Sequence, residues 1–238
     1  MGLLVLAIAP GIAICLFIYR KDKYNREPIG MLLLAFVLGM LSIIPAIAVQ
    51  LSWPVNMQQL GNKGYLPLAF FTFVIVALSE EGSKFLMLRL FLFSRKSFDD
   101  PFDGIVYAVM VGMGFATVEN IGYVYEHGVA TGILRMFLSV PAHGTFAVLM
   151  GYFMGYAKFT TGSRLPNYAL ALLLPVLFHG SFDFCLFSGS EILIVVGALS
   201  SFILALYLSF RAIRRKQAIS KLHFEEINRT IQSEQLPL

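Results

Sequence analysis

Apolar side chains fill most of the chain in long runs that short polar connections separate. Seven runs are long enough to cross roughly 30 Å of hydrocarbon as helices that rise ~1.5 Å per residue. They cover residues 3–19, 29–51, 66–93, 104–125, 133–157, 168–187 and 191–210. Because backbone polar groups in lipid must find partners within their own segment, we expect helices. The pattern predicts an all-α, polytopic membrane helix bundle with about seven transmembrane helices.

The composition narrows the class of protein. Of the 238 residues, 58% are hydrophobic and 13% are charged, which is about half the charged share of a soluble domain. This excludes a soluble globular enzyme, a disordered chain and a nucleic-acid-binding module. We therefore expect the lipid bilayer as a partner and no nucleic acid. The predicted organisation is a membrane-embedded domain over residues 1–210 and a basic, polar cytoplasmic tail over residues 211–238.

The basic residues predict an orientation. Fourteen of the eighteen Lys and Arg residues follow the first, third and fifth runs or lie in the tail. The opposite face has only Lys63 and Arg135, and two more basic residues lie within the third run. Cytoplasmic connections carry the excess of Lys and Arg in membrane proteins. We therefore expect the N-terminus outside and the C-terminus in the cytoplasm.

Ionisable side chains occur inside four consecutive predicted spans. A charge at the centre of a span costs at least ~2.5 kcal/mol on insertion, so this concentration is unexpected in a purely structural bundle. Counting residues along the helices places most of these groups between the midplane and the outer half of the membrane. They are Glu80, Glu81 and Lys84 in the third run, Glu119 and the adjacent Asn120 in the fourth, His143 in the fifth, and His179 and Asp183 in the sixth.

The spacing of these residues indicates chemistry at one site. Glu80 and Lys84 are four residues apart, so the ammonium can offset a carboxylate on the same helix face. His179 and Asp183 have the same spacing, which suits an Asp that orients a His or two ligands on one face. Phe115 lies one turn before Glu119. Two chemistries stay open: a glutamate base with His or Asn donors for the oxyanion, or a divalent metal held by Glu and His.

Several motifs resemble those of the PrsW family of membrane proteases. The resemblance covers about residues 7–187, keeps the order of the motifs, and extends to the wider clan of CAAX-processing and bacteriocin-processing membrane proteases. The motifs are Ala9-Pro10-Gly11, Asn25-x-Glu27-Pro28, Glu80-Glu81-x-x-Lys84, Phe102-Asp103-Gly104-Ile105-Val106-Tyr107, Gly114-Phe115-Ala116-Thr117-Val118-Glu119-Asn120, Pro141-x-His143 and His179-Gly180-x-x-Asp183.

The resemblance implies a peptidase of the bacterial cell membrane. Such an enzyme would cut a single-span anti-sigma factor near its extracytoplasmic side and so begin regulated intramembrane proteolysis. Glu119 stands where the wider clan usually has a His. This difference leaves open whether the site is a glutamate-type hydrolase or depends on a divalent metal such as zinc. The resemblance implies the catalytic set Glu80, Glu81, Glu119, His143, His179 and Asp183, supported by Lys84, Phe115 and Asn120. Glu119, His143 and His179 are the candidate metal ligands.

A proton-coupled secondary transporter is the alternative, because intramembrane Glu, His and Asp residues also form proton relays. The sequence lacks an inverted repeat and a matched pair of interrupted helices, which many transporters have. We therefore expect an enzyme.

Overall fold

Long helices account for most of the computed structural model, which describes residues 2–53, 60 and 64–234. These residues form no strand, so the predicted all-α class is confirmed. The helices are α1 (Gly2–Lys21), α2 (Ile29–Ser52, interrupted at Ser42), α3 (Tyr65–Leu92), α4 (Asp103–Phe137), α5 (Ser139–Phe159), α6 (Leu165–Phe187) and α7 (Leu193–Ala198 continued by Leu199–Glu234). Lys63 and most of the connection between α2 and α3 lie outside the described residues.

Six helical stretches in the described part of the chain are long and apolar enough to cross a membrane. One of them, Asp103–Phe159, has 57 residues and contains both α4 and α5. These two helices run antiparallel, since Gly104 near the start of α4 lies against Gly151 of α5, and Gly112 lies against Ala147. The count of seven spans and the orientation of the termini stay predictions.

Helix α4 forms the centre of the bundle. It packs against α1, α2 and α5, and every residue from 103 to 117 is buried. A helix that is apolar on all sides is stable only when neighbours cover all of its faces. This central position places Glu119, two residues beyond the fully buried stretch, beside the neighbouring helices that carry the other ionisable groups.

Small residues set the distance between α4 and α5. A Cβ atom at Gly151 would overlap the carbonyl oxygen of Gly104, and a Cβ at Gly104 would overlap that of Gly151. Gly155, one turn further along α5, lies against the carbonyl oxygen of Pro101. Glycines spaced four residues apart, such as Gly151 and Gly155, allow membrane helices to approach this closely.

The boundary between the fourth and fifth predicted spans differs from the structure. The sequence pattern starts the fifth span at residue 133, whereas α5 begins at Ser139. Gly128 has φ 80° and ψ −166°, a conformation that essentially only glycine adopts. Residues 129–137 therefore form a short helical segment that folds back along the preceding part of α4. This segment is separate from α5, although the sequence pattern assigned its last residues to the fifth span.

Helix α3 contains two stretches of wider, π-helical turns. They cover Phe71–Ala77 and Leu88–Leu92 and flank the regular helical turns Leu78–Met87. Wide turns of this kind are frequent at functional sites because they change the rotational register of the following residues. Here they enclose the part of α3 that carries Glu80, Glu81 and Lys84.

The opposite end of the bundle holds a second group of buried polar side chains. Asp22 and Glu27 lie between α1 and α2, where Asp22 Oδ2 accepts the backbone N–H of Glu27 at 3.1 Å and Tyr107 donates to Glu27. Burial raises the pKa of Glu27 to about 7 and that of Asp22 to about 6. This group ties the first connection to the start of α4.

Helix α7 continues without a break through the predicted domain boundary at residue 210. The C-terminal half of α7 packs against the end of α1 and the connection that follows it. Gln217 Nε2 donates to the backbone oxygen of Lys21 at 2.5 Å, and the rings of Phe224 and Tyr24 lie 6.1 Å apart. The division of the chain at residue 210, with a cytoplasmic tail after it, stays a prediction.

Candidate active site

Three charged side chains of α3 lie within one buried cluster. The Nζ atom of Lys84 is 2.7 Å from Glu81 Oε1 and 3.6 Å from Glu80 Oε2. All three residues are buried, and the ammonium also lies 4.0 Å from the centre of the Phe115 ring. The spacing pairs Lys84 with Glu80, but the closer partner is Glu81, three residues before the lysine. Both carboxylates face the cluster.

Helix α2 closes one side of this cluster. Nε2 of Gln50 donates to Glu80 Oε1 at 3.2 Å. Gln50 was not among the predicted site residues, and the available signal was an amide one residue before the end of an otherwise apolar run. The second carboxylate oxygen of Glu80, Oε2, is buried and accepts no hydrogen bond from the described residues.

His143 of α5 lies between two oppositely charged groups. Its Nδ1 is 3.2 Å from Lys84 Nζ, and its Nε2 is 2.9 Å from Glu119 Oε2. An ammonium can only donate and a carboxylate can only accept. The hydrogen-bond network therefore assigns the proton to Nε2 and leaves the lone pair of Nδ1 on the Lys84 side.

His179 of α6 also contacts charged groups through both ring nitrogens. Its Nδ1 is 2.9 Å from Glu81 Oε1, and its Nε2 is 3.3 Å from Asp183 Oδ2 and 4.0 Å from Glu80 Oε2. The ring of Phe146 stacks on the imidazole with centroids 5.2 Å apart and planes 21° apart. The structure thus brings His179 and Asp183 together as the spacing predicts, and it adds a direct contact to the double glutamate.

Glu119 lies on the far side of the His143 ring, where Arg135 also binds it. Nη2 of Arg135 is 2.6 Å from Glu119 Oε2, and Nε donates to Asn120 Oδ1 at 2.9 Å. Asn120 in turn donates from Nδ2 to the backbone oxygen of Ala7 at 2.9 Å. Asn120 therefore links α1, α4 and the folded-back segment, and its polar atoms are already engaged.

Arg135 contacts the site although the sequence pattern did not predict it there. In the prediction of orientation, Arg135 is one of the two basic residues on the outer face. The signal that could have identified it is the cost of a lone arginine within the apolar sequence from Ile133 to Leu138. Its partner could not be read from the spacing, because the contact with Glu119 depends on the reversal at Gly128.

The donor set in the pocket fits a divalent metal. One ligand atom each from Glu80, His143 and His179 lie within 4.8 Å of one another, and all three residues are buried. Two imidazoles, one carboxylate and an open position are typical of catalytic zinc sites, and Glu80 Oε2, which accepts no hydrogen bond from the described residues, is an oxygen that can bind a cation. Glu119, a candidate ligand from the sequence, is not in this group, and Glu80 is in its place.

The six residues that the sequence identifies as catalytic all belong to one connected set of contacts. Glu80, Glu81, His143, His179 and Lys84 meet directly, while Glu119 contacts the His143 imidazole and Asp183 contacts the His179 imidazole. Buried carboxylates, imidazoles and a lysine, brought together inside a bundle of membrane-capable helices, define a membrane-embedded hydrolase-type site.

Comparison with known proteins assigns the family. The family described as "PrsW family intramembrane metalloprotease" matches residues 27–211. The chain therefore belongs to the PrsW family of intramembrane proteases, as the motifs predict, and is a membrane-embedded peptidase with a protein substrate. The matched range includes every residue of the site except the α1 backbone that Asn120 contacts.

Proteins named Protease PrsW from several bacteria are similar to the chain. The one from Bacillus subtilis is 37% identical over 180 residues, which is 75% of this chain and 80% of that protein. The one from Oceanobacillus iheyensis is 34% identical over 214 residues, 89% of this chain and 96% of that protein. The one from Clostridioides difficile is 37% identical over 193 residues, 78% and 79% of the two chains. No solved structure matches the chain at a comparable level of significance.

Proposed function

We propose that this peptidase cuts a single-span membrane protein near its extracytoplasmic side, within the bacterial cell membrane. The substrate that the family resemblance leads us to expect is an anti-sigma factor, whose cleavage begins regulated intramembrane proteolysis. The observation that carries the proposal is the buried contact of Glu81 with both Lys84 and His179. This contact supports the proposal because it holds the Glu81 carboxylate in a fixed orientation among the other ionisable groups of the site.

Glu81 is the general base in this proposal. Its Oε1 accepts from Lys84 Nζ at 2.7 Å and from His179 Nδ1 at 2.9 Å. Its Oε2 is buried and has no hydrogen-bond partner among the described residues. The free oxygen can therefore take a proton from water while the other oxygen keeps the carboxylate in place, and the proton then passes to the leaving amine.

Glu80, His143 and His179 would hold a divalent metal. When bound, such an ion polarises water and the scissile carbonyl. The remaining residues position these ligands: Glu119 accepts from His143 Nε2 at 2.9 Å, and Glu81 Oε1 accepts from His179 Nδ1 at 2.9 Å. Nε2 of His179, which lies 3.3 Å from Asp183 Oδ2 and 4.0 Å from Glu80 Oε2, would then be the nitrogen that faces the ion. Carboxylates behind metal-binding histidines commonly fix the tautomer and the ring orientation.

Lys84 supplies a fixed positive charge next to the reacting groups. Its ammonium lies 2.7 Å from Glu81 Oε1, against the face of Phe115. In a water-poor pocket, a preorganised cation stabilises the negative charge that develops on the carbonyl oxygen of a peptide under attack. Lys84 therefore offsets the carboxylates in the resting site and the oxyanion during hydrolysis.

The test is cleavage of a membrane-anchored substrate in reconstituted vesicles. Wild type is compared with Glu81→Gln and His179→Ala. The matched control is Glu126→Gln, which changes an exposed carboxylate just before the turn at Gly128. We expect cleavage from wild type and the control only. Unchanged cleavage by both site variants would overturn the proposal.

The substrate and the metal need separate experiments. Membrane proteomics of bacteria that express wild type or Glu81→Gln should show a single-span anti-sigma factor that is shortened only with wild type. Metal analysis of the purified protein, with activity measured before and after a chelator and after added zinc, tests the ligand set. We expect one divalent ion per chain and loss of that ion in His143→Ala. The family membership leaves the transporter alternative without support.

A further inference from the structure

The turn at Gly128 returns the chain to the active site. The backbone conformation at Gly128 (φ 80°, ψ −166°) reverses the direction of α4. As a result Arg135 contacts Glu119, a residue 16 positions earlier in the sequence. A continuous helix would separate these residues by about 24 Å at ~1.5 Å per residue. The contact exists only because the segment folds back.

Arg135 binds three neighbouring side chains of α4 at once. Nη2 pairs with Glu119 Oε2 at 2.6 Å, Nε donates to Asn120 Oδ1 at 2.9 Å, and the guanidinium lies 4.0 Å from the centre of the Tyr123 ring. The side chain is only 12% exposed. A planar guanidinium can satisfy a carboxylate, an amide and an aromatic face together, which an ammonium cannot do.

The oxygen that Arg135 binds is the same one that His143 uses. Glu119 Oε2 lies 2.6 Å from Arg135 Nη2 and 2.9 Å from His143 Nε2. On the other side of the imidazole, Nδ1 faces Lys84 at 3.2 Å. The guanidinium thus fixes the carboxylate, and the carboxylate fixes the proton on Nε2.

We propose that Arg135 is a positioning residue of the peptidase, which holds Glu119 so that the Nδ1 lone pair of His143 points into the pocket with Glu80 and His179. The proposal rests on the proposed function and deepens it. Without the guanidinium, Glu119 loses its charged partner and turns away from His143, and the imidazole can exchange its proton between the two nitrogens. Loss of a partner behind a ligand histidine typically lowers activity or metal affinity about 10–100-fold.

The experiment compares Arg135→Met and Arg135→Lys with wild type in reconstituted vesicles. We expect Arg135→Met to lower kcat about 10–100-fold with KM changed by less than about twofold, because substrate binding is untouched. Arg135→Lys should recover a large part of kcat, since an ammonium can still pair with Glu119. Arg89→Met is the matched control, because Arg89 contacts the rings of Phe93 and Tyr168, outside the site.

A second readout follows the His143 ring directly. In protein with ¹⁵N-labelled histidine, the ring nitrogen signals of metal-free wild type should show protonated Nε2 and unprotonated Nδ1, with His143→Gln used for assignment. Arg135→Met should show a mixture of tautomers, and Arg135→Lys the wild-type pattern. If Arg135→Met keeps the wild-type pattern, or cleaves at the wild-type rate, the proposal is overturned.

Two further variants keep the outcomes separate. If Arg135→Met does not fold, Gly128→Ala tests the same point with the guanidinium present, and normal cleavage with a normal His143 pattern would overturn the proposal. Glu81→Gln should abolish cleavage and keep the His143 pattern. Cleavage by Glu81→Gln at the wild-type rate would refute the proposed function, while the ring signals would still test the role of Arg135.

Discussion

The ammonium of Lys84 lies 2.7 Å from Oε1 of Glu81, and both side chains are almost completely buried. A buried ion pair is a weak source of stability, but removing one partner leaves a charge that is neither solvated nor paired. This relationship makes Lys84 important for the integrity of the site as well as for its chemistry.

Replacing Lys84 by Met is expected to destabilise the protein by about 3–5 kcal/mol, because Glu81 then lacks its nearest cation. Thermal unfolding in detergent measures the effect. The control is Lys221→Met, which breaks the exposed pair with Glu225 at 3.7 Å and should hardly change the melting temperature. The double variant Lys84→Met with Glu81→Gln should lose less than the sum of the single variants. Additive losses would contradict a direct interaction.

Replacing Asp183 by Asn is expected to lower zinc affinity or kcat about 10–100-fold, because the carboxylate lies 3.3 Å from Nε2 of His179, the nitrogen that would face the ion. Zinc affinity is measured by competition with a coloured chelator, and kcat by cleavage in vesicles. Glu191→Gln changes an exposed carboxylate beyond the end of α6 and serves as the control. Wild-type affinity together with wild-type kcat in Asp183→Asn would rule out this role.

Replacing Gly151 by Ala is expected to destabilise the bundle by about 1–3 kcal/mol, because the new Cβ overlaps the carbonyl oxygen of Gly104 and forces α4 and α5 apart. The control is Gly122→Ala, since a Cβ at Gly122 meets no atom within 4 Å. Unfolding in a denaturing detergent titration compares the two. Equal stability of the two variants would show that the helices can separate without cost.

Glu27 makes the stability depend on pH. Burial raises its pKa from 4.5 to about 7, so the fold favours the protonated carboxyl. Its contribution is complete below about pH 4.5, is lost as the pH rises towards 7, and stays absent at higher pH. Glu27→Gln removes this loss and can still accept from Tyr107. We expect wild type to lose about 1–2 kcal/mol more than the variant between pH 5 and pH 8.

Unfolding of wild type and Glu27→Gln is measured across this pH range. Glu126→Gln is the control, because Glu126 is exposed and, among the residues that the structure describes, pairs only with the exposed His127 at 3.8 Å. It should keep the wild-type pH dependence. Parallel curves for wild type and Glu27→Gln would show that the Glu27 carboxyl is not the cause.

The helices and the residues of the site were largely predictable from the sequence. Lipid imposes apolar runs of a certain length, so a polar residue inside a run stands out, and Glu80, Glu119, His143 and His179 could each be identified. Helical spacing also predicted the contact between His179 and Asp183, which the structure contains at 3.3 Å.

The remaining features depend on tertiary structure. The backbone at Gly128 leaves no pattern in hydropathy, so the boundary of α5 was displaced and Arg135 was assigned to the wrong surroundings. The wide turns before Glu80 change which neighbouring helices this part of α3 faces, by an amount that a regular helical count does not contain. Within the regular turns both carboxylates are in reach of Lys84, and spacing alone does not show that Glu81 is the closer one. Spacing predicts neighbours within a regular helix, whereas contacts between helices depend on where each helix bends.

The contacts around the two imidazoles also have a consequence for the total charge of the pocket. Four carboxylates, those of Glu80, Glu81, Glu119 and Asp183, face two permanent cations, Lys84 and Arg135, in the described part of the chain. With both histidines neutral, the pocket carries a formal charge of −2. An excess charge is costly in hydrocarbon, and a doubly charged cation would cancel it completely. Electroneutrality thus favours a divalent ion over a monovalent one.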